Sequence, residues 1–155
     1  MYSFTVNVEI QAAPARVWRA LCDPAEVVQW DSGVTEALDA PPDYPQPGHH
    51  VRWRYTNGIF RILHDRPLEV VAERALRSLL SIGPFRFDEM YTLEARDGSP
   101  GLATGSGCRL TVALGVSLPL PVLGGLYERF ALGPQSEQSV KASMRALKRH
   151  CESQA

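Results

Sequence analysis

The first thirty residues constrain the fold of this chain more than any other stretch. Tyr2, Phe4, Val6, Val8 and Ile10 alternate with Ser3, Thr5, Asn7, Glu9 and Gln11, the period of a strand with one apolar face. Pro14 follows, at a place where a helix starts without losing a needed amide donor. Val17, Trp18 and Leu21 then recur at helical spacing. Asp23-Pro24 restarts the chain, with Asp23 as N-cap and Pro24 as first helical residue, and a second short helix runs to Trp30. One long strand followed by two short helices is an unusual opening for an antiparallel protein.

Gly33–Asp39 forms a second strand, ended by Ala40-Pro-Pro-Asp-Tyr-Pro-Gln-Pro47, which cannot join a ladder interior and reads as a surface loop. In Gly48–Thr56, Val51, Trp53 and Tyr55 share one face and Arg52 and Arg54 the other. Asn57-Gly58 predicts a two-residue hairpin turn, pairing Tyr55 with Phe60, Trp53 with Ile62 and Val51 with His64. That register puts His64 on the aromatic face and Arg61 on the opposite one. Asp65-Arg66-Pro67 reads as the next turn. Leu68–Leu80 then carries Leu68, Val70, Ala72 and Leu76 on one face, with Arg74 among them. Phe85, Phe87, Tyr91 and Leu93 mark an inner face that includes Glu89. Asp97–Gly107 is a long hairpin loop, and Cys108, Leu110, Val112, Leu114 and Val116 alternate cleanly. Leu118–Pro134 is irregular, with Gly133-Pro134 expected to interrupt or kink whatever forms there. From Gln135 to about Glu152, Val140, Met144, Leu147 and Cys151 make one helical stripe.

The strand Phe4–Ile10, the Ala13-Pro14…Val17-Trp18 step, Asp23-Pro24 and the closing Trp30 resemble the helix-grip, START-like (SRPBCC) superfamily. That superfamily includes polyketide cyclase/dehydrase-like proteins, plant allergens and lipid-transfer domains. The later strands and final helix continue the pattern, so the resemblance covers essentially all 155 residues as one domain, 1–155. It implies an α+β fold: a curved antiparallel seven-stranded sheet wrapped around a long C-terminal helix, with two short helices after strand one. It implies no universal catalytic residue, because the superfamily has none.

A net charge of −1 and a pI near 6.4 give no bulk electrostatic case for nucleic acid or an anionic membrane. No run is long enough to span a bilayer and no signal peptide is visible. Cys22, Cys108 and Cys151 are scattered and lack metal spacing, so reduced thiols in a cytoplasmic protein are expected. His49-His50 with His64 and Asp65 lacks zinc spacing. No metal and no organic cofactor is expected, nor membrane insertion, and the chain is expected to act as a monomer or weak homodimer.

A long helix across a curved sheet leaves space between them, and a mostly apolar pocket with few polar groups is the usual small-molecule site. The expected function is binding of a small hydrophobic ligand (lipid, polyketide or aromatic compound) between sheet and C-terminal helix. The candidate lining is Trp53, Tyr55, Phe60, Ile62, Arg74, Leu76, Phe87, Glu89, Tyr91, Leu110, Val112, Met144 and Leu147. The same side chains would also serve as ordinary filled core. One alternative is a polyketide cyclase/dehydrase- or aromatase-like enzyme using the same cavity. His64 or Glu89 would then transfer a proton to a carbonyl-bearing substrate and Tyr91 would donate a hydrogen bond. Against that, Arg74 and Glu89 could simply form an ion pair, with His64 at the sheet rim. Asp31 could face the cavity mouth or act as a cap. The other alternative is a non-enzymatic protein-interaction module.

Overall fold

A computed structural model describes residues 1–96, 107–121 and 123–153. The expected loop over 97–106 lies outside the described residues. Strand β1 (Tyr2–Ile10) leads into helices α1 (Pro14–Cys22) and α2 (Pro24–Trp30). Both helices carry proline in their first turn, and Asp23 accepts a hydrogen bond from the Ala25 amide at 2.9 Å. Strands β2 (Val34–Ala37), β3 (Val51–Tyr55), β4 (Ile62–Val71), β5 (Ala75–Ile82), β6 (Phe85–Arg96) and β7 (Gly107–Ser117) follow. Short helix α3 (Leu123–Tyr127), a π-helical turn (Glu128–Leu132) and α4 (Gly133–Ser153) then run on without a break.

All seven strands form one antiparallel sheet in the order β1-β7-β6-β5-β4-β3-β2. On β1, β7 and β6 its inner face is the alternation read from the sequence, whereas on β4 Leu68, expected on the inner row, is 44% exposed. Phe4, Val6, Val8 and Ile10 lie opposite Leu114, Val112, Leu110 and Cys108, and Leu93 and Tyr91 continue the rows on β6. Met144, Leu147 and Cys151 of α4 are 2%, 0% and 0% exposed against this face. β1 is an edge strand, and α4 covers part of its open rim: Lys148 Nζ donates to the Glu9 carbonyl at 2.7 Å, and the Gln11 amide donates to Glu152 at 2.9 Å.

Three local expectations are corrected. First, Asn57-Gly58 does not close a two-residue turn. The Tyr55 amide bonds to the Arg61 carbonyl at 2.7 Å, so the connecting loop is longer and the ladder pairs Val51 with Asp65, Arg52 with His64 and Trp53 with Leu63. A one-residue slip transfers every side chain of β4 to the other face. Second, Asp65-Arg66-Pro67 lies inside β4. Pairing with β3 ends at Asp65, so Pro67 meets no ladder partner there to miss its amide. The turn falls instead at 72–74, with Glu73 at φ 61°. Third, Gly133-Pro134 does not break the C-terminal helix. The Gly133 amide bonds five residues back to the Glu128 carbonyl, and this widened turn precedes the proline whose missing donor would disrupt a regular ladder.

A single helix about 10–12 Å wide cannot cover seven strands spaced about 4.8 Å apart, roughly 29 Å of sheet. α4 packs on the β1 side. On the β2 side α2 packs against β2, and Ala40 and Tyr44 of the loop after β2 pack against the core.

Candidate functional site

Trp30 fixes the roof of this second region: it is 5% exposed, and its indole N–H donates to the Ala20 carbonyl at 2.9 Å, locking α2 to α1. Beneath it lies a cavity of about 90 Å³. Its walls are apolar: Leu21 and Val27 from the short helices, Val34 of β2, Leu63 of β4, and Leu76 and Leu80 of β5. Three acidic residues, Asp31, Asp65 and Glu89, line it together with Tyr44, Tyr91, Trp53 and Ser78. Neither Lys, Arg nor His is among the described residues that line it.

Asp65 is the centre of this group. The corrected register turns it inward opposite Val51, where it is 4% exposed. Its Oδ2 accepts from the Tyr44 hydroxyl at 2.6 Å and from the Trp53 indole at 3.3 Å. The Tyr44 and Trp53 rings meet edge to face, centroids 5.9 Å apart. Ser78 is the third group to hydrogen-bond the carboxyl. Burial raises the Asp65 carboxyl above its ordinary range, opposed by Tyr44, Ser78 and Trp53, which favour its charged form.

Glu89 stands opposite Ser78 on β6. Burial first, then the neighbouring negative charges of Asp65 and Asp31, push its carboxyl up to about 8, against a hydrogen bond from Tyr91. Glu89 and Tyr91 keep some accessible surface, and that surface faces the cavity they line. Burial also pushes the Tyr91 and Tyr44 hydroxyls up, so both remain protonated donors. Asp31 fills both expected roles. Its Oδ1 accepts from the Gly33 amide at 2.9 Å, it lines the cavity, and burial raises its carboxyl.

From the sequence-derived lining, the cavity brings together Trp53, Leu76, Glu89 and Tyr91. Leu110, Val112 and Leu147 are fully buried core. Tyr55 packs beside that core, and Phe87 belongs to a smaller cluster with Leu114, Val116, Leu118 and Leu132. Phe60 is 37% exposed in the loop before β4, its ring 6.2 Å from that of Phe85. Ile62 lies opposite Arg54 on the outer face. Arg74 is exposed in the β4–β5 turn, away from Glu89, so the Arg74–Glu89 ion pair is not formed. His64 is on the outer face, its Nδ1 2.9 Å from His50 Nε2. Burial and then the nearby His50 lower its pKa. Met144 lines a separate groove of about 320 Å³ between β1 and α4, flanked by Lys141 and Arg145.

Sequence reasoning missed Asp65, Tyr44 and Ser78. Asp65 was hidden by the assumed turn. A large aromatic inside a proline-stiffened loop was the available signal for Tyr44. Among the described residues no group of His, Cys, Asp and Glu is arranged to hold a metal.

The family described as "Polyketide cyclase / dehydrase and lipid transport" matches the chain over residues 1–152. No curated protein matches the chain. Among solved structures, a START superfamily protein from Mycobacterium smegmatis superposes with a TM-score of 0.75 at 15% identity, covering 100% of both chains. Protein CV1439 from Chromobacterium violaceum gives a TM-score of 0.72 at 17% identity, covering 97% of each chain. DynU16, from the dynemicin biosynthetic locus, gives 0.67 at 21% identity, covering 98% of this chain and 48% of that one. At these identities the structural likeness speaks for the fold.

Proposed function

The chain belongs to the polyketide cyclase / dehydrase and lipid transport family, and we propose that it binds a compact, mainly apolar ligand in the cavity beneath α2. The observation that carries this reading is the convergence of Asp65, Glu89, Tyr44 and Tyr91 on one apolar-walled space, the usual composition of a small-molecule site. Size limits the occupant. About 90 Å³ is well below the roughly 300–1,000 Å³ of drug-sized pockets. The ligand is therefore small, or inserts one end and leaves the remainder outside. Native mass spectrometry of freshly purified protein is expected to show a co-purified small molecule. Ser78→Leu, which fills the space, is expected to release it while the fold persists. A wild-type protein that carries nothing, and whose cavity resonances ignore small organic probes, would refute the reading.

A catalytic reading uses the same residues, and the raised Glu89 favours it. Asp65, supported by three hydrogen-bonding neighbours, serves as the ionised base, and Glu89, desolvated and beside other carboxyls, as the protonated acid. Such a pair suits removal of a proton next to a carbonyl with return of a proton to a departing oxygen. Dehydration of a small β-hydroxyketone to the enone above the buffer rate, with the α-proton passing to Asp65 and the hydroxyl leaving as water on the Glu89 proton, is the expected signature, and Glu89→Gln should abolish it.

A further inference from the structure

We propose that the end of the molecule built around α3 docks peripherally on an anionic lipid surface. The proposal stands apart from the cavity beneath α2 and starts from a helical segment whose faces are inverted. Leu123, Leu126, Tyr127 and Phe130 recur at helical spacing along α3 and the π-helical turn, the pattern of a stripe that ordinarily faces a core. Here these residues are 69%, 55%, 44% and 73% exposed. The inward face carries Gly124, Glu128 and Leu132 instead. A Cβ at Gly124 would collide with the Leu118 carbonyl, and Glu128, 6% exposed, accepts from the Leu118 amide at 2.5 Å. These contacts fix the segment with its large apolar side chains in solvent.

The stripe is continuous with two neighbouring segments. The Tyr127 ring lies 6.3 Å from that of Phe85, and Phe85 lies 6.2 Å from Phe60. Residues 57–61, 82–86 and 118–132 thus meet at one end of the fold, where Ile59 and Leu120 are also exposed. Exposed apolar residues are ordinary singly, whereas a contiguous group marks an interaction surface. Charge selects what it meets. The three segments contain four charged residues, and their one carboxylate, Glu128, is buried. The others, Arg61, Arg86 and Arg129, are all exposed, and the arginine ion pairs among the described residues use other positions. Arg129 lies over the Phe130 ring at 5.8 Å, and Arg86 folds back on the Gly83 and Phe85 carbonyls at 2.7 and 3.0 Å, so both cations stay beside the apolar surface. The net charge of −1 hides this local excess. A second copy on the same face would set arginines against arginines with no exposed carboxylate between them. An anionic headgroup layer supplies the missing charge, and the acyl boundary beneath it takes the large side chains. The contact lies on the membrane, since no described helix is long and apolar enough to cross one.

Co-sedimentation of the full-length protein with vesicles tests this, using phosphatidylcholine alone or mixed in equal parts with phosphatidylglycerol. Partition onto the mixed vesicles is expected to be at least about tenfold stronger, with the preference shrinking as salt is raised. Leu123→Ser combined with Phe130→Ser should weaken it at least about tenfold. Arg61→Gln, Arg86→Gln and Arg129→Gln together should reduce binding on mixed vesicles to the level on phosphatidylcholine. All five positions are exposed, so these variants are expected to keep the wild-type thermal midpoint. Should Arg86→Gln loosen its turn, the other two arginine substitutions and the salt dependence make the same comparison. Equal binding to both vesicles, or to neither, overturns the proposal, as does binding that every substitution leaves unchanged. A dimer in analytical ultracentrifugation that Phe130→Ser dissociates, with no sedimentation on mixed vesicles, overturns it too and gives the face to a second copy.

Discussion

Glu89 is a carboxyl group held neutral by its surroundings, and this gives the protein a pH signature. Its pKa is raised in the folded state from 4.5 to about 8, so between those values the folded protein holds a proton that the unfolded chain releases. Stability from this group is full below about 4.5 and falls as pH rises, by about 1.4 kcal/mol per pH unit at most, until the folded pKa is passed. Denaturant titrations from pH 5 to 8 should show this decline, and Glu89→Gln should flatten it. An unchanged slope in the variant would place the charge elsewhere. Glu26 has the opposite sign. Hydrogen bonds from His150 and Arg16, aided by Arg19, hold it below its ordinary value despite burial, so its contribution is lost in acid. Burial keeps the three thiols protonated as it keeps Glu89 neutral, pushing Cys22 up to about 12 and Cys108 and Cys151 up to about 11.

At the scale of elements, strand and helix existence was legible and register was not. The alternation in β1 and β7 specifies one buried face whatever its partner, so the inward residues of those strands were legible, although β7 extends one residue beyond the alternation at each end, Gly107–Ser117. The β3–β4 pair depends on the length of its connecting loop, and Asn57-Gly58 signals a tight turn that Ile59 and Phe60, here in the loop, do not join. One residue of slip exchanged His64 for Asp65 in the interior and so replaced an imagined histidine site by a carboxylate site. Helix α4 carries a similar lesson at Gly133. The Tyr2 ring and the Glu128 carbonyl occupy the place where a Cβ would stand, so only glycine fits although the backbone there is ordinary helix. Alanine in a helix normally gains about 0.5–1 kcal/mol over glycine, but overpacking costs about 1–3 kcal/mol. Gly133→Ala should therefore lower the thermal midpoint, and Tyr2→Ala in the same chain should recover part of the loss. A higher midpoint for Gly133→Ala alone would show that the contact yields freely.

On the scale of the whole molecule, α4 holds the β1 side of the sheet closed. Met144, Leu147 and Cys151 are each at most 2% exposed. Large apolar side chains contribute about 1.5–3 kcal/mol each when buried, and removing α4 uncovers both its own stripe and the sheet face beneath. That sum rivals the about 5–15 kcal/mol that holds a typical domain together. Truncation after Gly133 should give an aggregating or molten chain, judged by lost amide dispersion. A monomer with sharp, dispersed resonances would make α4 an appendage. The sequence by itself determined the order of elements, the proline-started short helices, the apolar face of the sheet and the stripe of α4, because each is written in local spacing and short-range sterics. Only the tertiary structure decided which side chains share the cavity. Asp31, Tyr44, Asp65 and Glu89 come from two loops and two strands, and their meeting depends on strand register and on how far one helix reaches across seven strands. Both are set by long-range packing, which no local pattern encodes.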